Sequence, residues 1–262
     1  MNMLVILKQT FDTEERITIE NGQIINEENV QLIINPYDEY AVEEAVQLKE
    51  KHGGEVTVIT IGSPEAESAL RTALAMGADK AVLIENEDRP LDEYSIAKVL
   101  AAAIKDREYD VILGGNMSVD NGAAQVGPRV AEELGIPHIS SITKLEIDGE
   151  SVQVQRDVEG DVEIITSSLP ILVTAQQGLN EPRYPSLPGI RKAKNKPFER
   201  LSIEDLGVSE DHLRPKSQVL DHYLPPKKEA GRILAGDLKA QVGELVQILC
   251  DEEKVVQRGR TA

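Results

Sequence analysis

Residues 111–134 read VILGGNMSVDNGAAQVGPRVAEEL. Val111, Ile112 and Leu113 form a short buried strand, and the pair Gly114-Gly115 ends it. A polar turn follows. From Ala124 to Leu134 the composition suits a helix, and Gly135 stops it. A strand that runs through a glycine loop into a helix is the unit of a parallel α/β sheet. Such loops lie at the carboxyl ends of strands, where free N–H groups at a helix start face anionic ligands. Asn116, Ser118 and Asn121 can hydrogen-bond a ribose or a phosphate. An ordinary βα turn fits the same stretch equally well, because the glycine spacing matches no specific fingerprint.

The same grammar precedes this unit. Leu4–Leu7 is an aliphatic run that Lys8 ends, and Gln31–Ile34 is a further strand. Asn35-Pro36 suits an N-cap followed by the first helical position. Ala41, Ala45 and Leu48 then form an apolar stripe that stops at Gly53-Gly54. Val56–Ile61 is a strand, Ser63-Pro64 opens a helix that runs through Ala75, and Gly77 closes it. Ala81–Ile84 is a strand and Tyr94–Lys105 a helix. Between the first two strands, Asn21-Gly22 within Arg16–Ile25 signals a hairpin. The fold class expected is α/β, with a doubly wound, mostly parallel sheet.

Downstream the period changes. Pro137–Ile142 is a further strand, and Lys144–Ile147, Val152–Arg156 and Glu163–Ser167 alternate in period two around Asp148-Gly149 and Glu159-Gly160-Asp161. With Leu169–Ala175 they read as an antiparallel extension of the sheet. Five of the positions from Asn180 to Pro197 are Pro or Gly, which predicts largely irregular chain. Leu201–Pro226 has little periodicity. Leu238–Cys250 is a last amphipathic helix with Leu238, Val242, Leu245, Val246 and Leu249 on one face. The organisation expected is a nucleotide-binding domain over 1–178, a recognition loop over 179–197 and a C-terminal arm over 198–262.

A net charge of −18 argues against nonspecific binding to nucleic acid or to an anionic membrane. The single cysteine, Cys250, excludes an internal disulfide. The apolar start MNMLVILK lacks a preceding basic region and reads as a strand, and no segment approaches membrane-spanning length. The expected compartment is the cytoplasm. His52, His138, His212 and His222 show neither metal nor catalytic spacing, and no serine stands in a G-x-S-x-G context. No catalytic residue and no metal site is expected. One oddity remains. Arg183, Arg191, Lys192, Lys194 and Lys196 form a basic island with no acid between them, enclosing Leu187 and Ile190. An irregular segment carrying apolar residues among cations suits docking to another protein.

The run from Leu179 to Lys194, LNEPRYPSLPGIRKAK, resembles the signature of the beta subunit of electron transfer flavoprotein. Asn35 to Ala45, Arg71 to Asp79, and Arg156 to Gly160 with Leu169-Pro170 are also similar to that subunit. The matches span nearly the whole chain.

The resemblance implies an adenine-nucleotide-hydrolase-like fold, a heterodimer with an alpha subunit that carries the electron-transferring FAD, and AMP bound in this chain. It places the nucleotide site at Ile6, Asn35, Pro36, Tyr37, Asp38 and Ile61. To these it adds the loop Gly115, Asn116, Met117, Ser118, Val119, Asp120, Asn121, Gly122, Ala123, Ala124, Gln125 and Val126. It makes Leu187 the anchor of a docking loop, with Ile190, Arg191 and Lys192 beside it. It also implies electrons from acyl-CoA and other dehydrogenases, passed to a quinone oxidoreductase. The small residues Gly122 and Ala123 are similar as well to the flavin-bifurcating branch, in which a second FAD replaces AMP and NADH is oxidised.

Overall fold

The computed structural model describes residues 1–262 except 16–17, 21–22, 26–29, 88, 229 and 257–262. The strands, in chain order, are β1 (Asn2–Ile6), β2 (Gln9–Phe11), β3 (Thr18–Glu20), β4 (Gln23–Ile25), β5 (Leu32–Ile34), β6 (Glu55–Gly62), β7 (Lys80–Glu85), β8 (Val111–Gly115), β9 (His138–Asp148), β10 (Ser151–Val158), β11 (Asp161–Ser168), β12 (Ile171–Ala175) and β13 (Phe198–Ser202). The helices are α1 (Pro36–His52), α2 (Glu67–Met76), α3 (Glu93–Ile104), α4 (Val126–Leu134), α5 (Leu187–Ala193), α6 (Glu210–Leu213) and α7 (Leu238–Gln247).

Nine strands form one sheet in the order β11-β10-β9-β12-β8-β1-β6-β7-β13. It is parallel from β12 to β13, and antiparallel among β9, β10 and β11. Alternation along β1 sends Met3 and Val5 to one core, under α1 and α2, and Leu4 and Ile6 to the other, under α3 and α4. Helices on both faces make the sheet doubly wound. From β1 the chain builds outward to β6 and β7, then crosses back to place β8 on the other side of β1. The strand order therefore reverses between β1 and β8. Loops at the carboxyl ends of that pair diverge to opposite faces and leave a crevice.

Several expectations need correction. Pro137–Ile142 and Lys144–Ile147 are one strand, β9. It begins parallel to β12 and continues antiparallel to β10, with Ser141 at φ 57° and register shifts near the change of partner. Leu169–Ala175 does not close an antiparallel set. Its residues Ile171–Ala175 form β12, a parallel strand buried on both faces between β8 and β9. Within the largely irregular chain from Asn180 to Pro197, Ser186 accepts a bond from the N–H of Gly189 at 3.1 Å and starts the short helix α5 with Leu187-Pro188 in its first turn. Helix α4 starts at Val126 rather than Ala124, which has φ 53°. The strands β3 and β4 pair antiparallel, and the turn at Asn21-Gly22 lies outside the described residues.

Residues 198–222, which the sequence groups with the arm, contain β13 and the buried Ile203 and Leu213. Met1–His222 is one compact unit, and Tyr223–Ala262 is a second. The second unit carries α7, followed by a π-helical turn at Ile248–Glu252. Its Leu238, Val242, Leu245 and Val246 are exposed.

Candidate functional site

The crevice between β1 and β8 is an open cleft of about 790 Å³, part of it continuous with solvent. Helix α1 reaches it through Asp38, and Asn35 lines it just before the helix. Asn35 is buried and precedes α1, yet its side chain does not cap the helix as expected. Its Nδ2 donates to the carbonyl of Met117 at 2.9 Å, and its Oδ1 accepts from the N–H of Val119 at 3.1 Å. Asn35 thus pins the glycine loop to the first helix. Asp38, in the first turn of α1, reaches both strands beside the crevice. Its carboxylate accepts from the N–H of Lys8 at 2.6 Å and of Gly115 at 2.7 Å. Burial pushes its carboxyl up to about 7, against the opposing pull of those N–H groups, the Asn35 amide and the Lys8 charge.

This approach explains Gly115. A Cβ there would lie 2.4 Å from Asp38 Oδ1 and 2.7 Å from Tyr37 Cβ. The loop beyond it is braced from within: Gly122 N–H donates to Ser118 O at 2.8 Å, and Asn121 Oδ1 accepts from Ser118 Oγ at 2.9 Å and from Ala123 N–H at 3.1 Å. Gly122 has φ 62° and open space around it, so its role is conformational. The loop delivers the chain to α4, whose first turn has no side-chain cap and no acidic residue. Uncapped N–H groups at a helix start are an anion site.

The cleft brings together Ile6, Asn35, Asp38, Ile61, Gly115, Asn116, Met117, Ser118, Asn121, Ala123, Ala124, Gln125 and Val126. Pro36, Tyr37, Val119, Asp120 and Gly122 lie outside its lining. The sequence reading missed Leu7, Lys8, Glu93, Ile96 and Leu100, which also line it. Lys8 is the one cation among the described lining residues, and its Nζ lies 2.5 Å from Asp120 Oδ2. Burial raises the Asp120 carboxyl, but Lys8 and Ser118 outweigh it and hold it below the ordinary range. A lysine at the end of a first parallel strand was the legible signal. Ile96 and Leu100 were not legible as lining, since only the tertiary fold turns α3 toward the crevice. One wall is apolar (Ile6, Ile61, Ile96, Leu100, Val126) and the other polar, which suits a base on one side and a ribose phosphate on the other.

The docking candidates are separate from the cleft. Leu187 is 76% and Ile190 44% exposed on α5, with Arg191 and Lys192 exposed beside them. The basic island divides. Arg183 pairs with Glu43 at 2.8 Å and with Glu50 at 2.6 Å, and Lys196 Nζ donates to the carbonyls of Leu74 and Ala78 at 2.9 and 2.5 Å. Burial alone would raise the Glu43 carboxyl, but bonds from Arg183 and Gln47 hold it low. Asn180 Nδ2 donates to Glu44 Oε2 at 2.9 Å, and Arg71 to the carbonyl of Ala193 at 2.9 Å. Two of the five cations are therefore anchors that fix α5 on α1 and α2, while Arg191, Lys192 and Lys194 remain exposed. Among the described residues, no group of three or more His, Cys, Asp or Glu is placed to hold a metal ion, and no helix is long and apolar enough to cross a membrane.

A family model described as "Electron transfer flavoprotein domain" matches residues 23–206. The chain is 58% identical to the electron transfer flavoprotein subunit beta of Bacillus subtilis, over 98% of this chain and all of that one. It belongs to the electron transfer flavoprotein beta-subunit family. A second relative, the subunit beta of Syntrophomonas wolfei, is 44% identical over 88% of each chain. A third, "Caffeyl-CoA reductase-Etf complex subunit CarD" of Acetobacterium woodii, is 36% identical over 95% of this chain and 98% of its own. Membership makes the chain one subunit of a flavin-linked electron-transfer assembly.

Proposed function

We propose that this chain is the nucleotide-holding and partner-docking subunit of a heterodimeric electron transfer flavoprotein. The observation that carries the proposal is the cleft at the strand-order reversal, where the uncapped α4, Lys8 and an apolar wall converge. The ligand is AMP. Ile6, Ile61 and Ile96 would flank its base, Ser118 and Asn121 would meet its ribose, and the first N–H groups of α4 with Lys8 would meet its phosphate. An alpha subunit would carry the FAD, which supplies the one- and two-electron chemistry, and the exposed face of α7 would pack on that subunit. Leu187, Ile190, Arg191 and Lys192 would dock acyl-CoA and other dehydrogenases as electron donors, with a quinone oxidoreductase as acceptor. No residue of this chain is assigned a catalytic role, and the compartment is the cytoplasm.

A second reading has specific support. Ala123 and Ala124 leave the loop side of the cleft low, and one relative belongs to a caffeyl-CoA reductase complex. In that reading a second FAD replaces AMP and the assembly oxidises NADH. Acid extraction of ligands from the purified heterodimer decides. One FAD and one AMP per dimer support the first reading, and two FAD without AMP the second. A colourless, stable monomer that binds ATP contradicts both.

A further inference from the structure

Asp92 stands just before α3, and its two carboxylate oxygens serve different parts of the chain. Oδ1 accepts from the N–H and the hydroxyl of Ser95, both at 3.0 Å, and caps the helix. Oδ2 accepts from the N–H of Lys216 at 2.6 Å, the N–H of Ser217 at 2.9 Å and the Ser217 hydroxyl at 3.2 Å. Burial raises this carboxyl, but the bonds from Ser95, Lys216 and Ser217 prevail and hold it well below the ordinary carboxylate range. The segment around that tether packs against α3. Leu213 is buried in the same core as Ala97 and Val99, the His212 ring meets Tyr94 edge-on at 6.4 Å, and Lys216 Nζ lies 5.0 Å from the Tyr94 ring centre. The same helix contributes Glu93, Ile96 and Leu100 to the cleft, and Glu93 accepts from Asn121 Nδ2 in the glycine loop at 3.1 Å.

We propose that Asp92 is a positioning residue that couples the seating of residues 216–217, which lead toward the C-terminal unit, to ligand retention in the cleft. The proposal rests on the nucleotide reading of that cleft. With the tether made, the first turn of α3 is held from both sides and Glu93 stays on the loop. With it broken, the helix start is gripped by its cap alone, and the loop loses a fixed partner. The device makes nucleotide retention sensitive to whatever seats or lifts the C-terminal segment.

Cap and tether are separable by mutation. Asp92→Ser and Asp92→Asn each supply one acceptor oxygen where the carboxylate uses two, so either can cap α3 but neither can also hold residues 216–217. Asp92→Ala removes both functions. In the full-length heterodimer, two rates are read: tryptic cleavage after Lys216, and release of bound adenine nucleotide. The expected result is faster cleavage and about tenfold faster release in D92S and D92N, at a melting temperature that shows both variants folded. Unchanged release from a D92S protein that is cleaved faster would overturn the coupling, as would a variant in which neither rate moves. Faster release confined to D92A would assign the effect to helix capping and likewise overturn it. A wild-type heterodimer that holds no nucleotide would instead sink the cleft reading, and the coupling with it.

Discussion

Adding one methyl group at Gly115 is expected to lower stability and loosen the cleft together. The new Cβ would lie 2.4 Å from Asp38 Oδ1, 2.7 Å from Tyr37 Cβ and 2.8 Å from the Tyr37 carbonyl carbon. None of these atoms can rotate away. All three belong to the first turn of α1, and the Asp38 oxygen is fixed as well by the bond from Gly115 itself. Carbon contacts are relaxed at about 3.5–4 Å, so the start of α1 must retreat by roughly 1 Å. Overpacking of this kind costs about 1–3 kcal/mol, and weakening a bond to a charged acceptor adds about 1 kcal/mol or more. At roughly 2–4 °C per kcal/mol for a chain of this length, the melting temperature should fall by about 5–15 °C. Gly122→Ala is the control. Its Cβ meets nothing within 4 Å, so it bears only the left-handed backbone penalty of about 1–2 kcal/mol and leaves Asp38 in place. Thermal unfolding by circular dichroism and the ligand content of the purified heterodimer measure both effects. A Gly115→Ala protein that melts with wild type and keeps its nucleotide would refute the claim that α1 presses on the end of β8.

Lys8→Gln removes the one cation of the described lining, and should weaken nucleotide binding about tenfold while flattening its salt dependence in equilibrium dialysis; unchanged affinity would place the phosphate elsewhere. Asp38, raised to about 7, binds its proton more tightly folded than unfolded. Its contribution to stability is therefore full below about pH 4 and lost as the pH rises to about 7. The difference in unfolding free energy between wild type and Asp38→Asn should fall across that window and level above it, and a flat difference would show that the carboxyl titrates normally. Leu187→Ala should raise the KM for the heterodimer as acceptor from its dehydrogenase about tenfold in a steady-state assay, with flavin and nucleotide content unchanged. Loss of flavin instead would make Leu187 part of the heterodimer's own packing.

The parallel core was legible because its signals are local. Val111–Leu113, Gly114 and Pro36 state their elements within a few residues, and β6, β7, α1 and α2 follow the same grammar. What the sequence concealed depends on partners far along the chain. Ile171–Ala175 looks like the last strand of a meander, and only the fold shows that it inserts beside β8. Arg183 and Lys196 look like part of an exposed basic island until Glu43, Glu50 and the carbonyls of α2 and its C-terminal turn are seen beneath them. Asn35 has the local signature of a helix cap, yet Met117 and Val119, more than eighty residues away, use its side chain. For the cleft, the glycine loop was visible as a candidate. Its opposite wall was not, because Ile96 and Leu100 carry the same apolar periodicity as any core helix.

An adenine nucleotide held in the crevice between β1 and β8 would lie against Ile61, Ile96 and the glycine loop. The direct test is photolabelling of the intact heterodimer with 8-azido-AMP, after removal of the bound nucleotide, followed by mass-spectrometric mapping of the labelled peptides. Label is expected on peptides carrying Ile61, Ile96 or the loop from Gly115 to Val126, suppressed by excess AMP. Label on the alpha subunit alone, or on the segment around Leu187, would contradict it.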